Sequence, residues 1–146
     1  AKRLKLEFID IDEEIEKELG RSIKNIFDKE GENFFRKIEE KITLKKLKLK
    51  SKVISLGGGG FINSNIKREV LKNHLSFWLN WEDKVLIERI KNSRKRPIAF
   101  NANSEELINL IKKRSSIYSH ALYEIKCDNF SKYEIVKKIL QNYEKH

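Results

Sequence analysis

Methionine is absent from all 146 residues, and proline and cysteine occur once each, as Pro97 and Cys127. A lone cysteine excludes an internal disulfide and fits a reducing compartment, so a cytoplasmic location is expected. The three histidines, His74, His120 and His146, do not cluster with Cys127, which removes the usual His/Cys metal motifs. No apolar run approaches the length of a membrane span and no signal-peptide pattern opens the chain, so no membrane partner is expected. The first residues, AKRLKLEFID, read as the last turn of a helix entering a strand. With Ala1 in first place and no methionine anywhere, sequence upstream of Ala1 is expected.

What is present in excess is charge. Charged residues make up 37% of the chain and hydrophobic residues 39%, with a net charge of +10. That is enough apolar material for one compact domain with extensive solvated faces. A positive balance invites a nucleic-acid reading. Here the lysines are spread along nearly every segment and interleaved with Glu, as a global bias would leave them, so no nucleic-acid partner is expected. Small anionic ligands, phosphates and carboxylates, suit the same charge.

The segment 51–63, SKVISLGGGGFIN, organises the rest. Val53 and Ile54 favour a strand, and four glycines follow directly. Glycines after a strand let backbone approach a ligand closely, and in α/β proteins the ligand sits at the carboxyl ends of strands. Around this segment, strands are expected over 6–11, 53–56, 75–79 and 123–127. Helices are expected from an Asp12 cap to Leu19, then over 23–29 after Ser22, closed by Gly31. A third runs over 32–48, with Phe35, Ile38 and Ile42 on its buried face. Further helices are expected over 65–72 and 81–91. The last two run from a Ser104 cap to about 119 and from a Ser131 cap to 143. The segment 93–103 is expected to be a lid loop. Strands alternating with helices imply a parallel sheet covered by helices, an α/β fold.

Several residues could carry chemistry. Asp10 and Asp12 follow a strand, and paired acids there suit Mg²⁺ and a hydroxyl that must lose a proton; a helix cap explains Asp12 equally well. Arg36 lies three and four residues before Glu39 and Glu40. This is either a solvated ion pair or a guanidinium held ready for a substrate carboxylate. The run Arg94-Lys95-Arg96-Pro97 can close over phosphates, or be solvated charge. Of Lys113 and Arg114 on a helix, one is expected on the surface.

Taken in order, these segments resemble shikimate kinase, a member of the P-loop nucleoside-monophosphate-kinase-like group. The matching stretches are FIDIDEEIE (8–16), GRSIKNIFDKEGENFFRKIEE (20–40), SLGGG (55–59), Arg96-Pro97 and KRSSIY (113–118). They cover nearly the whole chain. The resemblance implies a single P-loop-kinase-like domain over 1–146 with helices on both faces of the sheet. It implies transfer of the γ-phosphoryl of ATP, with Mg²⁺, to the 3-hydroxyl of shikimate by a monomer. It also assigns roles. Asp12 binds the shikimate hydroxyls and assists the attacking one, and Asp10 sits near Mg²⁺. Arg36 and Arg114 hold the carboxylate, and Glu39 orients Arg36. Gly57, Gly58 and Gly59 line the substrate site. Arg96 is the lid arginine at the phosphates, and Arg89 lies near the nucleotide base.

One departure stands out. The phosphate loop G-x-x-x-x-G-K-[ST] does not occur, and the glycine run lacks the Lys and Ser/Thr that follow it. The expectation is a family member whose first, central strand and phosphate loop are outside this chain, with very low kinase activity as it stands. A kinase-like module that binds shikimate without catalysis is one alternative. A related P-loop kinase for another small hydroxylated substrate, such as gluconate, is a second.

Overall fold

A computed structural model describes residues 1–91 and 103–146. These form two compact units, Ala1–Val70 and Leu71–His146.

In the first unit a short 3-10 turn, Lys2–Leu4, leads into β1 (Glu7–Asp10). β1 pairs in parallel with β2 (Lys52–Ser55), placing Phe8 opposite Val53 and Asp10 opposite Ser55. Parallel pairing requires a crossover, which α1 (Ile11–Leu19) and α2 (Ile23–Leu47) supply. The cap of α1 is Asp10 and not Asp12, a correction to the sequence reading. Its extended backbone precedes the first helical residue, and its Oδ1 accepts from the N–H of Asp12 at 2.9 Å and of Glu13 at 3.4 Å. A capping side chain must stand one residue outside the helix; Asp12 is already inside it, so its carboxylate is released from that task. Gly20 ends α1 in the left-handed region at φ 64, and Ser22 caps α2, both as expected. The two helices expected on either side of Gly31 are present within α2: Gly31 leaves the helical backbone at φ 80 and ψ 173, and the two segments meet there across a kink.

Ile9, Ile11, Ile15, Ile26, Phe35 and Ile42 form the core of this unit, with Ile38 packed against them. Phe35 and Ile42 confirm the predicted inner face of α2. In β1 the inward residue is Ile9, while Phe8 is 54% exposed. β2 runs into the glycines, then a 3-10 turn (Gly60–Ile62) and α3 (Ser64–Asn73).

In the second unit β3 (Phe77–Asn80) pairs in parallel with β4 (Tyr123–Lys126). Their crossover contains α4 (Asp83–Lys91) and α5 (Ser104–Tyr118), and α6 (Lys132–Tyr143) follows β4. Ile90, Leu107 and Ile111 make one small core, and Ile125, Cys127 and Ile135 another. The cap of α5 is Asn103 rather than Ser104. Asn103 and Glu106 bond reciprocally as a capping box, and Ser131 and Glu134 repeat the device at α6. The alternation of strands and helices and the parallel pairing are as the sequence requires; among the described residues the ladders form two two-stranded sheets. No described helix is long and apolar enough to cross a membrane. Arg96, and the lid expected over 93–103 apart from Asn103, lie outside the described residues.

Candidate active site

Three elements of the first unit end at one place. β1 delivers Asp10 at its carboxyl end, the first turn of α1 delivers Asp12, and β2 runs out into Gly57–Gly60. α2 lays Arg36 and Glu39, three residues apart and so on one face, against the same loop. The contact is close. A Cβ added to Gly57 would stand 2.6 Å from Oδ1 of Asp12 and 3.2 Å from Oε1 of Glu39. One added to Gly59 would stand 2.5 Å from Cζ of Arg36. Neither glycine takes a positive φ. Glycine leaves room here: a side chain at 57 would have to push the Asp12 carboxylate aside, and one at 59 the end of the Arg36 side chain. Gly58, between them, faces solvent.

Arg36 donates from Nη1 to Oε2 of Glu39 at 2.6 Å and from Nε to Oε1 of Glu32 at 3.2 Å. Glu39 is buried, 1% exposed. The sequence placed Glu40 beside Arg36; Glu40 instead turns away to Asn63 and Asn65. Glu32 was missed, although its i,i+4 spacing to Arg36 was the available signal. Burial works against the Arg36 charge, but Glu39 and then Glu32 outweigh it and hold the guanidinium above its ordinary value. Among the described residues Nη2 makes no hydrogen bond, which leaves one edge of the fork for a ligand.

Asp12 is the perturbed acid. Burial first, then the neighbouring charges of Asp10, Glu39 and Glu16, raise its carboxyl from 3.8 to about 6, and Arg36 opposes them. A carboxyl tuned toward neutrality beside a basic fork can exchange a proton with a hydroxyl near physiological pH.

Asp10 has one oxygen committed to capping, and among the described residues Oδ2 has no hydrogen-bond partner. No group of three or more His, Cys, Asp or Glu that could hold a metal occurs among the described residues. One available oxygen suits a hydrated Mg²⁺ that keeps most of its waters. The structure therefore gathers Asp10, Asp12, Arg36, Glu39, Gly57 and Gly59. Arg89 and Arg114 belong to the second unit. Arg89 is exposed on α4 and lies over the Trp81 ring, with Cζ 3.9 Å from the centroid. Arg114 is half-buried on α5 beside the exposed Lys113, the division expected for that pair.

Comparison with known proteins identifies the family. The family profile described as shikimate kinase matches residues 1–144. A shikimate kinase of Persephonella marina is 38% identical over 140 residues, spanning 96% of this chain and 85% of that protein. The structure of shikimate kinase from Aquifex aeolicus matches at a TM-score of 0.86 and 34% identity, over 98% of this chain and 84% of that one. Shikimate kinase from Acinetobacter baumannii, solved in complex with shikimate, matches at 0.92 and 28% identity, over 99% and 82%. The chain belongs to the shikimate kinase family of phosphotransferases.

Proposed function

We propose that this chain binds shikimate and belongs to the step that moves the γ-phosphoryl of ATP to the shikimate 3-hydroxyl. The observation that carries the reading is the glycine loop pressed between Asp12 and Arg36, without room for a Cβ at 57 or 59. A polyol carboxylate needs a guanidinium at one end, an acid at the other, and backbone donors between them. Arg36 takes the carboxylate through its open Nη2 edge, and Glu39 and Glu32 hold it in place. Asp12 accepts the hydroxyl proton as oxygen bonds to phosphorus and the bond to ADP breaks. Phosphoryl transfer asks chiefly for positioning and charge neutralisation, and these residues supply the acceptor side.

By resemblance, Gly58 adds a backbone donor, Arg114 is a carboxylate-binding arginine, Arg89 serves the nucleotide base and Arg96 the phosphates. Asp10 fits Mg²⁺ through water, and that ion, when bound, neutralises phosphate charge. The phosphate loop that cradles ATP is not among these 146 residues. The reading assigns these residues acceptor binding, within one domain that works as a cytoplasmic monomer.

The test is a titration with shikimate followed by NMR, for the chain and for Arg36→Ala. Saturable shifts that are lost in the variant support the reading; equal responses, or none in either, would sink it. Robust ATP-dependent phosphorylation by these residues alone would overturn the expected impairment. Arg36→Ala is also expected to destabilise the chain by about 3–5 kcal/mol, because it strands the buried Glu39 carboxylate. Glu39→Gln should cost clearly less, as read by urea denaturation.

A further inference from the structure

Glu39 and Glu40 are neighbours on α2, yet they face different parts of one loop. Glu39 stands under Gly57 and Gly60. Glu40, about 100° further round the helix, receives two side-chain amides: Nδ2 of Asn63 donates to its Oε2 at 2.7 Å, and Nδ2 of Asn65 to its Oε1 at 2.7 Å. The amide orientations are fixed independently. Oδ1 of Asn63 accepts from the N–H of Asn65 at 2.9 Å and of Ile66 at 3.1 Å, which caps the first turn of α3. Oδ1 of Asn65 accepts from Arg68. Each Asn therefore has only its donor side left for Glu40. The two donors, Asn65 first, hold the Glu40 carboxyl below its ordinary value.

The chain of bonds continues into the glycines. The N–H of Asn63 donates to the carbonyl of Gly60 at 3.2 Å, and the N–H of Gly60 to the carbonyl of Gly57 at 3.0 Å. The upstream end of the loop is fixed by the pairing of β2 with β1, where Ser55 lies opposite Asp10. Among the described residues the downstream end has no strand partner, and Glu40 ties it, through Asn63 and Asn65, back to the helix that carries Arg36.

We infer that Glu40, acting through Asn63 and Asn65, is a positioning residue that sets the glycine loop against Arg36 and Asp12 and so determines affinity for the acceptor. It does not touch the ligand. It holds the downstream end of the loop while Glu39 holds the guanidinium, so one turn of α2 fixes both sides of the pocket. A small displacement at Asn63 passes through Gly60 to Gly59, which packs against the end of the Arg36 side chain. The statement about affinity rests on the shikimate reading above; the statement about loop order does not.

Two measurements on the full chain separate these. In Glu40→Ala without ligand, amide exchange at Gly60 and Asn63 should quicken about tenfold, while exchange in β3 and β4 stays as in the unaltered chain. Shikimate should then bind about tenfold more weakly, the loss expected for two hydrogen bonds to a charged group that is partly solvated. Glu14→Ala, which removes the ion pair of Glu14 with Lys46 between α1 and α2, serves as a control for general destabilisation and should leave shikimate affinity within twofold. Rescue reports on the contact itself. Asn63→Asp sets a second carboxylate against Glu40 and should weaken binding at least as much as Glu40→Ala. Adding Glu40→Gln to Asn63→Asp reverses donor and acceptor and should restore most of the affinity. Unchanged exchange at Gly60 in Glu40→Ala would overturn the positioning role whatever the ligand. Quickened exchange with shikimate affinity unchanged would overturn the link to binding. If the unaltered chain bound no shikimate, the functional reading and that link would fall together, and the exchange result alone would decide the loop.

Discussion

At the scale of single residues, the site turns on which of two aspartates caps a helix. Both are good caps, and the pattern Asp10-Ile11-Asp12 allows either. The sequence reading paired them as two acids following a strand, but the chain enters a helix at Ile11, so Asp10 ends the strand and Asp12 lies in the first helical turn. What the sequence could not carry is the burial of Asp12 against the glycine loop, because that depends on β2, more than forty residues away. The raised carboxyl has a defined consequence for stability. A group that holds its proton more tightly when folded stabilises the fold below its unfolded pKa, and that contribution is lost as pH rises through the folded value. The stability of the unliganded chain, measured against Asp12→Asn, is expected to fall as pH rises from 3.8 to about 6 and to level off above. Parallel curves for the two proteins in pH-dependent urea denaturation would show that Asp12 is not the perturbed acid. The glycines give a second residue-scale expectation. Gly59 takes φ −113 and ψ −14, a backbone that alanine also adopts. Gly59→Ala should therefore fold, with the flexible end of Arg36 displaced, and should bind shikimate more than tenfold more weakly by calorimetry.

Elements were legible where apolar spacing and punctuation agreed, as at Phe35 and Ile42 on α2 and at Gly20 closing α1. They were less legible at their ends. At α5 the cap was read one residue late, at Ser104, because serine is as good a cap as asparagine. The box partner should have decided it, since Glu106 stands three residues after Asn103 and only two after Ser104. Asn103→Ala should accordingly cost about 1 kcal/mol by thermal or urea unfolding, and Ser104→Ala a few tenths at most. An equal loss at both positions would move the cap back to the sequence reading. Gly31 was read as a stop between two helices. The structure agrees: the backbone leaves the helical region there, at φ 80 and ψ 173, and the second helical segment departs across a kink. That kink lies just before Glu32 and Arg36, so the turn that carries the guanidinium begins at a position fixed by one glycine.

For the whole molecule the question is what a net charge of +10 serves. A nucleic-acid surface and a site for one carboxylate respond to salt in very different ways. Neutralising six to ten phosphates loses roughly a thousandfold or more in affinity between about 50 and 200 mM salt. Binding one carboxylate at Arg36 neutralises a single charge, and Glu39 and Glu32 already compensate much of the guanidinium field at 2.6 and 3.2 Å. Shikimate affinity should then change less than about threefold over the same range, since a half-buried pair is only weakly screened. The exposed lysines, Lys17, Lys24, Lys41, Lys72, Lys84 and Lys112 among them, lie on five different helices, which is how a solvated excess of charge is distributed. Calorimetric titrations with shikimate and with a DNA duplex at both salt concentrations decide the matter. Tight duplex binding at the lower salt that collapses at the higher, together with a steep salt response for shikimate, would mean that the charge is organised for a polyanion and that the acceptor pocket is not the main ligand site. A flat shikimate response with no saturable duplex binding at the higher salt would place recognition in the few residues around the glycine loop and leave the remaining charge to solvation.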